Sequence, residues 1–215
     1  MKISLIFAHP NPESFNHAIA SAAETELLLF GHQVRRHDLY QEQFNAVLPA
    51  AELARDAQLG SVIRQHCYEI VDADGIIVVH PNWWGMPPAV LKGWIDRVLR
   101  VDVAYRLVTN EKGEGVPQGL LRARSAIVFN TANTPEDREL DTYGDPLETL
   151  WKKCVFGFCG VKNVQRRSFS NVVASNYEQR TRWLMEVRKI VKSHFPPEKR
   201  LPASLPLPMA PRLTA

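Results

Sequence analysis

At 215 residues, with 45% hydrophobic and 23% charged positions, the chain has enough apolar material for one well-buried domain but would leave two full-sized domains little core each. These shares sit near those of ordinary globular proteins and argue against disorder, collagen-like repeats and coiled coil. Lysine and arginine total 26 against 23 acidic residues, a net charge of +3 with the signs intermixed, which leaves no long basic face for a nucleic-acid backbone.

In chain order, residues 3–8 form a short apolar run ending in a Pro-rich turn, the pattern of a strand buried on both faces as in parallel sheets. Over residues 16–30 the positions Ile19, Ala22, Ala23, Leu27 and Phe30 recur at helical spacing, with Gly31 as the C-cap. Residues 33–36 read as a short strand, 52–71 as a helix and 75–80 as a second buried strand. A helix follows over 89–100, where Val90, Trp94 and Val98 beside Leu91, Ile95 and Leu99 make a wide apolar stripe flanked by Lys92, Asp96, Arg97 and Arg100. Residues 125–130 are another apolar strand, 146–158 a helix, 163–168 a modest strand and 177–194 a last amphipathic helix. This alternation implies βαβ units and an α/β fold. From Pro196 onward the chain holds six of its 15 prolines, so an extended tail over 196–215 is expected behind a domain of residues 1–195.

Cys67, Cys154 and Cys159 are an odd number at unpatterned spacing and read as core thiols in a reducing compartment. The apolar start is too brief for a signal peptide, and no stretch approaches the roughly 18 apolar residues of a membrane span. A cytoplasmic location with no integral membrane segment is expected.

In an open parallel sheet the ligand crevice lies outside the carboxyl ends of the strands. The loop after the first strand, His9 to Ala18, presents Ser14 and Asn16 at a helix start, where free N–H groups favour an anion; Ser14 or Asn16 as a simple helix cap is the competing reading. The loop Pro81-Asn82-Trp83-Trp84-Gly85-Met86-Pro87-Pro88 holds adjacent tryptophans in a Gly/Pro-shaped turn. They either stack on a flat aromatic ligand or plug the core beneath the following helix. A third loop, Thr131 to Pro135, follows the next strand and would converge with the other two on one edge.

Other motifs fail. Gly113 to Gly119 has GxGxxxG spacing and neither follows a buried strand nor opens a helix, so it reads as a turn. There is no Walker A sequence and no GxSxG elbow. Cys154 and Cys159 lie five apart, off ligand spacing, without HExxH, so no structural metal is expected.

The loops and their order resemble the flavodoxin-like NAD(P)H:quinone oxidoreductases, a family that includes DT-diaphorase, drug-activity modulators and potassium-efflux ancillary proteins. The resemblance is carried by His9-Pro-x-x-x-Ser14-Phe15-Asn16-x-Ala18, Asp38-Leu39-Tyr40 with Phe44-Asn45, and Pro81-x-Trp83-Trp84-Gly85-x-Pro87 leading into Leu91 to Val98. Ala104-Tyr105, Asn130-Thr131 and Trp151 with Phe158-Cys159-Gly160 continue it more loosely. It implies a flavodoxin-like, five-stranded parallel sheet of order 2-1-3-4-5 with helices on both faces. It also implies a non-covalent flavin, FMN or FAD, with NAD(P)H as co-substrate. The flavin phosphate would lie at Ser14, Phe15, Asn16 and Ala18 near His9, the ring at Pro81, Asn82, Trp83, Trp84 and Gly85, and its pyrimidine end near Asn130, Thr131 and Asn133. Trp84, Tyr143 and Tyr105 are the implied catalytic residues, Tyr105 serving the partner's flavin in a homodimer. The implied reaction passes hydride from NAD(P)H through flavin N5 to a quinone, nitro or azo acceptor by a ping-pong route. Two alternatives stay open, a flavin-bearing ancillary subunit of a membrane transporter and a one-electron flavodoxin-type carrier. The chain departs from DT-diaphorase-like members at Tyr143-Gly144, where they carry histidine before glycine, and at Ala132-Asn133, where they carry a glycine pair. Leu107 stands where they have a second tyrosine.

Overall fold

In a computed structural model of the chain, which describes residues 1–197, the strands β1 (Lys2–Phe7), β2 (Gln33–Asp38) and β3 (Gly75–Pro81) alternate with α1 (Phe15–Leu29) and α2 (Ser61–Asp72). After α3 (Ala89–Val98) come β4 (Tyr105–Thr109), β5 (Gly115–Gly119) and β6 (Ser125–Thr131). Then follow α4 (Glu136–Tyr143), α5 (Pro146–Thr149), β7 (Asn163–Phe169) and α6 (Tyr177–His194). Five strands pair in parallel in the order β2-β1-β3-β6-β7. Counted without the separate antiparallel hairpin β4-β5, this is the 2-1-3-4-5 order that the family resemblance implies.

Every residue of β3 and β6 is buried, which is why their sequences are continuous apolar runs rather than alternations. The strand period of two sorts them onto two faces. Ile6, Ile76, Val78, Ala126 and Val128 pack with α2, α3 and the segment around Trp151, and Leu5, Phe7, Ile77, Val79, Ile127 and Phe129 pack with α1 and α6.

Four expectations need correction. The helix expected over 52–71 is a 3₁₀ turn (Ala50–Glu52), an irregular stretch and then α2, which begins after Gly60. The buried Arg97 guanidinium binds Glu52 through both oxygens and Arg100 donates to the carbonyls of Glu52 and Ala54, so tertiary contacts hold this backbone out of a helix. The helix expected over 146–158 is α5 continued as a π-helical segment, Leu150–Gly157, whose wider turn buries Trp151, Val155 and Phe156 together. Among the described residues the five expected helices become six with α4, an exposed element invisible to apolar periodicity. Cys67 and Cys159 are buried, as expected, but Cys154 is exposed. The Pro-rich tail, beyond Pro197, lies outside the described residues.

Candidate functional site

β1, β3 and β6 run parallel and end at the same edge, so the loops that begin at Ala8, Asn82 and Ala132 converge there. A cavity of about 230 Å³ is lined by His9, Ser14, Phe15, Asn16, Pro81, Asn82, Trp83, Thr131 and Asn133 among others. A second, of about 370 Å³, shares Asn82 and Ala132 with it and adds Trp84, Gly85, Thr134, Glu139, Tyr143 and Pro146. Together they form one cleft along the carboxyl edge.

At its first end, Ser14 caps α1 by accepting the His17 N–H. The N–H groups of Phe15 and Asn16 have no acceptor among the described residues and stand at the positive end of the helix dipole. Asn16 is buried; its Nδ2 donates to Thr131 Oγ1 at 2.8 Å and its Oδ1 has no partner. Because a hydroxyl both donates and accepts, the Asn16 amide can turn over without losing the Thr131 bond and present Nδ2 to the cavity. His9 is half-buried beside Trp83, ring centroids 6.0 Å apart; burial pulls its pKa down, the Asn11 backbone raises it and the His17 charge lowers it further.

The middle of the cleft is a tight turn. Trp83 and Met86 exchange both backbone hydrogen bonds at 3.0 Å, and the two residues between them have positive φ, 59° at Trp84 and 71° at Gly85, the pattern of a type I′ hairpin turn. Glycine takes that conformation freely, whereas a bulky tryptophan is strained in it. The turn holds the Trp84 indole fully exposed and Trp83 at 41% exposure, so neither plugs the core; Trp94 of α3 does, at 2%. The Trp84 and Gly85 N–H groups have no acceptor among the described residues. A Cβ on Gly85 would stand 2.8 Å from Pro146, which closes the other side of the cleft.

Asn82 donates to Glu139 of α4 at 2.9 Å, and its own Oδ1 is buried without a partner. Tyr143, 58% exposed, closes the far wall from the end of α4, where Gly144 at φ 69° stops the helix. That corner is tied to the sheet by Arg166 of β7, which pairs with Asp145 and Glu148 and donates to Asn130 Oδ1.

The structure thus brings together His9, Ser14, Phe15, Asn16, Pro81, Asn82, Trp83, Trp84, Gly85, Thr131, Asn133 and Tyr143. Asn130 does not line either cavity: its side chain is buried and held by Ser168 and Arg166. Ala18 lines a neighbouring cavity instead, with Ser14 and Phe15. Tyr105 lies apart on β4, edge-on to Phe158 at 4.7 Å in a groove with Ile95 and Leu99. Sequence reading missed Glu139, Pro146 and Arg166, none of which belongs to a motif.

One group of metal-ligating atoms stands out among the described residues: His37, Glu42 and His66 lie within 4.8 Å of one another. Trp94 Nε1 donates to His66 Nδ1, so neutral His66 carries its proton on Nε2, directed at Glu42, and offers no lone pair there. His37 sits between Glu42 at 2.9 Å and Glu69 at 2.5 Å; burial lowers its pKa, but the two carboxylates outweigh burial and raise it. The cluster is an ion-pair network in which the exposed Glu42 bridges two buried histidines.

The parallel sheet, its order and a cleft at its carboxyl edge define a flavodoxin-like α/β protein, and a family model described as flavodoxin-like fold matches residues 1–191. The chain is 36% identical over 172 residues to an uncharacterized NAD(P)H oxidoreductase of Haemophilus influenzae, covering 78% of this chain and 83% of that one. It is 29% identical over 201 residues to human ribosyldihydronicotinamide dehydrogenase [quinone], covering 83% and 86% of the two. An NAD(P)H:quinone oxidoreductase from Methanothermobacter marburgensis superposes with a TM-score of 0.75 at 26% identity over 90% of this chain and 96% of that one. The chain belongs to the flavodoxin-like NAD(P)H:quinone oxidoreductase family and is an enzyme of that type. No helix among the described residues is long and apolar enough to cross a membrane.

Proposed function

We propose that the cleft holds a non-covalent flavin, through which the enzyme passes reducing equivalents from NAD(P)H to a quinone, nitro or azo acceptor. The observation that carries this is the pair of buried side-chain oxygens, on Asn16 and Asn82, that line one cleft with four N–H groups, all without a partner among the described residues. Buried polar atoms are ordinarily satisfied, so orphans gathered along one wall mark where a polar ligand belongs. When bound, the flavin supplies hydride acceptance and release at N5, first from NAD(P)H and then to the acceptor.

The chain's residues do the rest. The Phe15 and Asn16 N–H groups, with the Asn16 amide turned over, bind a phosphate. The Trp84 and Gly85 N–H groups donate to acceptor atoms of a flat ring laid along the turn. The exposed Trp84 indole and Tyr143 phenol flank the larger cavity, about 370 Å³, which would receive nicotinamide and acceptor in turn once a flavin is bound. A cavity of about 450 Å³ opens beside the α1 start and is lined by Tyr177, Arg180 and Arg188; it supports FAD over FMN, since it offers cations to a second phosphate and an aromatic to an adenine. Tyr105 on its separate groove fits service to a second copy, in a homodimer working in the cytoplasm. The NAD(P)H and quinone in the names of the relatives support the two substrates.

Initial rates with NAD(P)H and a quinone test the reading, together with the mass of any cofactor released by denaturation. Parallel double-reciprocal lines and a released FAD are expected; intersecting lines would overturn the shared-site sequence.

A further inference from the structure

Behind the Ser14 cap stands a line of side chains not used in the binding scheme above. Ser14 Oγ lies 3.2 Å from His17 Nδ1, and His17 Nε2 lies 3.4 Å from Asp38 Oδ2. The line is held along its length. Asp38 Oδ1 accepts from the N–H groups of Tyr40 at 3.2 Å and Gln41 at 3.1 Å, which leaves Oδ2 for His17. The imidazole meets Phe7 edge-on, centroids 4.2 Å apart. Ser14 Oγ is itself fixed by the His17 N–H at 3.3 Å.

We propose that His17 is a positioning residue of the anion site: bridging Asp38 and Ser14, it decides whether the Ser14 hydroxyl hydrogen points into the cleft or back at the ring. The proposal rests on the reading that a phosphate of the cofactor lies at the start of α1.

A hydroxyl has one hydrogen and two lone pairs. One lone pair of Ser14 Oγ faces the His17 N–H. With the imidazole protonated, Nε2–H donates to Asp38 and Nδ1–H donates to the second lone pair, so the hydroxyl hydrogen is left for the phosphate. With the imidazole neutral, the proton facing Asp38 stays on Nε2, Nδ1 becomes an acceptor and the Ser14 hydrogen turns back to it. The ligand then loses that donor, while the imidazolium charge, paired with Asp38, adds little of its own. The titratable groups facing His17 are Asp38 on β2 and His9 in the loop after β1. Arg36 lies over the Phe7 ring at 5.9 Å and is neutralised by Glu24 of α1 at 2.7 Å. Glu13, in the loop before α1, lies beside Ser14 in the neighbouring cavity. Retention of an anionic ligand therefore falls as pH rises.

The test dilutes holoenzyme loaded with FAD and follows release by the rise of flavin fluorescence. FAD is chosen because its diphosphate, unlike a phosphate monoester, has no group titrating near neutrality. In the parent, the dissociation constant should rise about tenfold between roughly pH 5.5 and 8.5, the loss of one hydrogen bond to a charged group. His17→Asn places an amide N–H near the Nδ1 position and does not titrate, so its profile should be flat. Ser14→Ala should be flat as well, and the double variant should add nothing to the stronger single effect, because His17 acts through Ser14. A purely structural role would shift affinity equally at every pH. A His17→Asn profile as steep as the parent's overturns the proposal and leaves the flavin site standing. A parent that holds no flavin at any pH overturns both.

Discussion

Trp151 Nε1 donates to His80 Nε2 at 2.9 Å, and His80 Nδ1 donates in turn to the Pro81 carbonyl at 2.8 Å. A tryptophan from the π-helical segment thereby fixes the tautomer of a fully buried histidine two residues before the loop that carries Trp84. Burial pushes His80 down to about 4, the Pro81 hydrogen bond opposes this and the Arg166 charge adds to it. The folded protein holds His80 neutral while the unfolded chain protonates it near its ordinary 6.5. Its contribution is therefore a loss of stability as pH falls from about 6.5 toward about 4. Trp151→Phe leaves Nε2 without a donor and should cost about 1–3 kcal/mol at neutral pH, read by denaturant unfolding.

His37 has the opposite sign. Its pKa is raised in the fold, because hydrogen bonds to Glu42 and Glu69 outweigh burial, so its contribution is full below 6.5 and fades as pH climbs through the raised value. Glu42 is held down to about 2, its bonds to His37 and His66 overcoming burial, so its share is full above 4.5 and is lost as pH falls from there toward about 2. His37→Gln should lower the melting temperature more at about pH 6 than at about pH 9. An equal loss at both would contradict the ion-pair reading.

The turn at Trp84 trades stability for placement. Trp84 is fully exposed and strained at φ 59°, so Trp84→Gly removes strain without losing packing. It should stabilise the fold by about 1 kcal/mol while impairing turnover with both substrates. Trp94→Ala, which empties the core at 2% exposure and strands His66 Nδ1, should cost about 3–5 kcal/mol. Unfolding and steady-state rates on the two variants check the contrast.

The Tyr143 hydroxyl lines the larger cavity and can donate a hydrogen bond to a bound substrate. Tyr143→Phe should lower kcat modestly, and Tyr143→His should raise quinone reduction below about pH 6.5, where an imidazolium offsets developing negative charge. Rates identical to the parent across pH in both variants would remove Tyr143 from the site.

What the sequence made legible followed from burial. β1, β3 and β6 are wrapped on both faces and leave unbroken apolar runs, and α6 carries a stripe that ends where its packing ends. The hairpin β4-β5 was not legible, because Leu107 and Val108 are exposed and Gly115, Pro117 and Gly119 suit a turn better than a strand. α4 has no buried residue at all, and its marker was the acidic first turn of Glu136, Asp137 and Glu139. In the site, the short-range parts were readable: Ser14 beside a helix start, and Gly85 in a turn. The hold of Arg166 on Asn130 was not legible, because no local pattern announces a guanidinium arriving from another strand 36 residues away.

The central claim, a flavin phosphate at the start of α1, is met most directly by the flavin content of purified parent and Asn16→Asp proteins, from visible against ultraviolet absorbance. Asn16→Asp keeps the shape and can still accept from Thr131 Oγ1 but sets a carboxylate against the phosphate. An equimolar flavin in the parent and its loss in Asn16→Asp, with the melting temperature of flavin-free protein unchanged, is the predicted result. A yellow Asn16→Asp protein with full occupancy would contradict it.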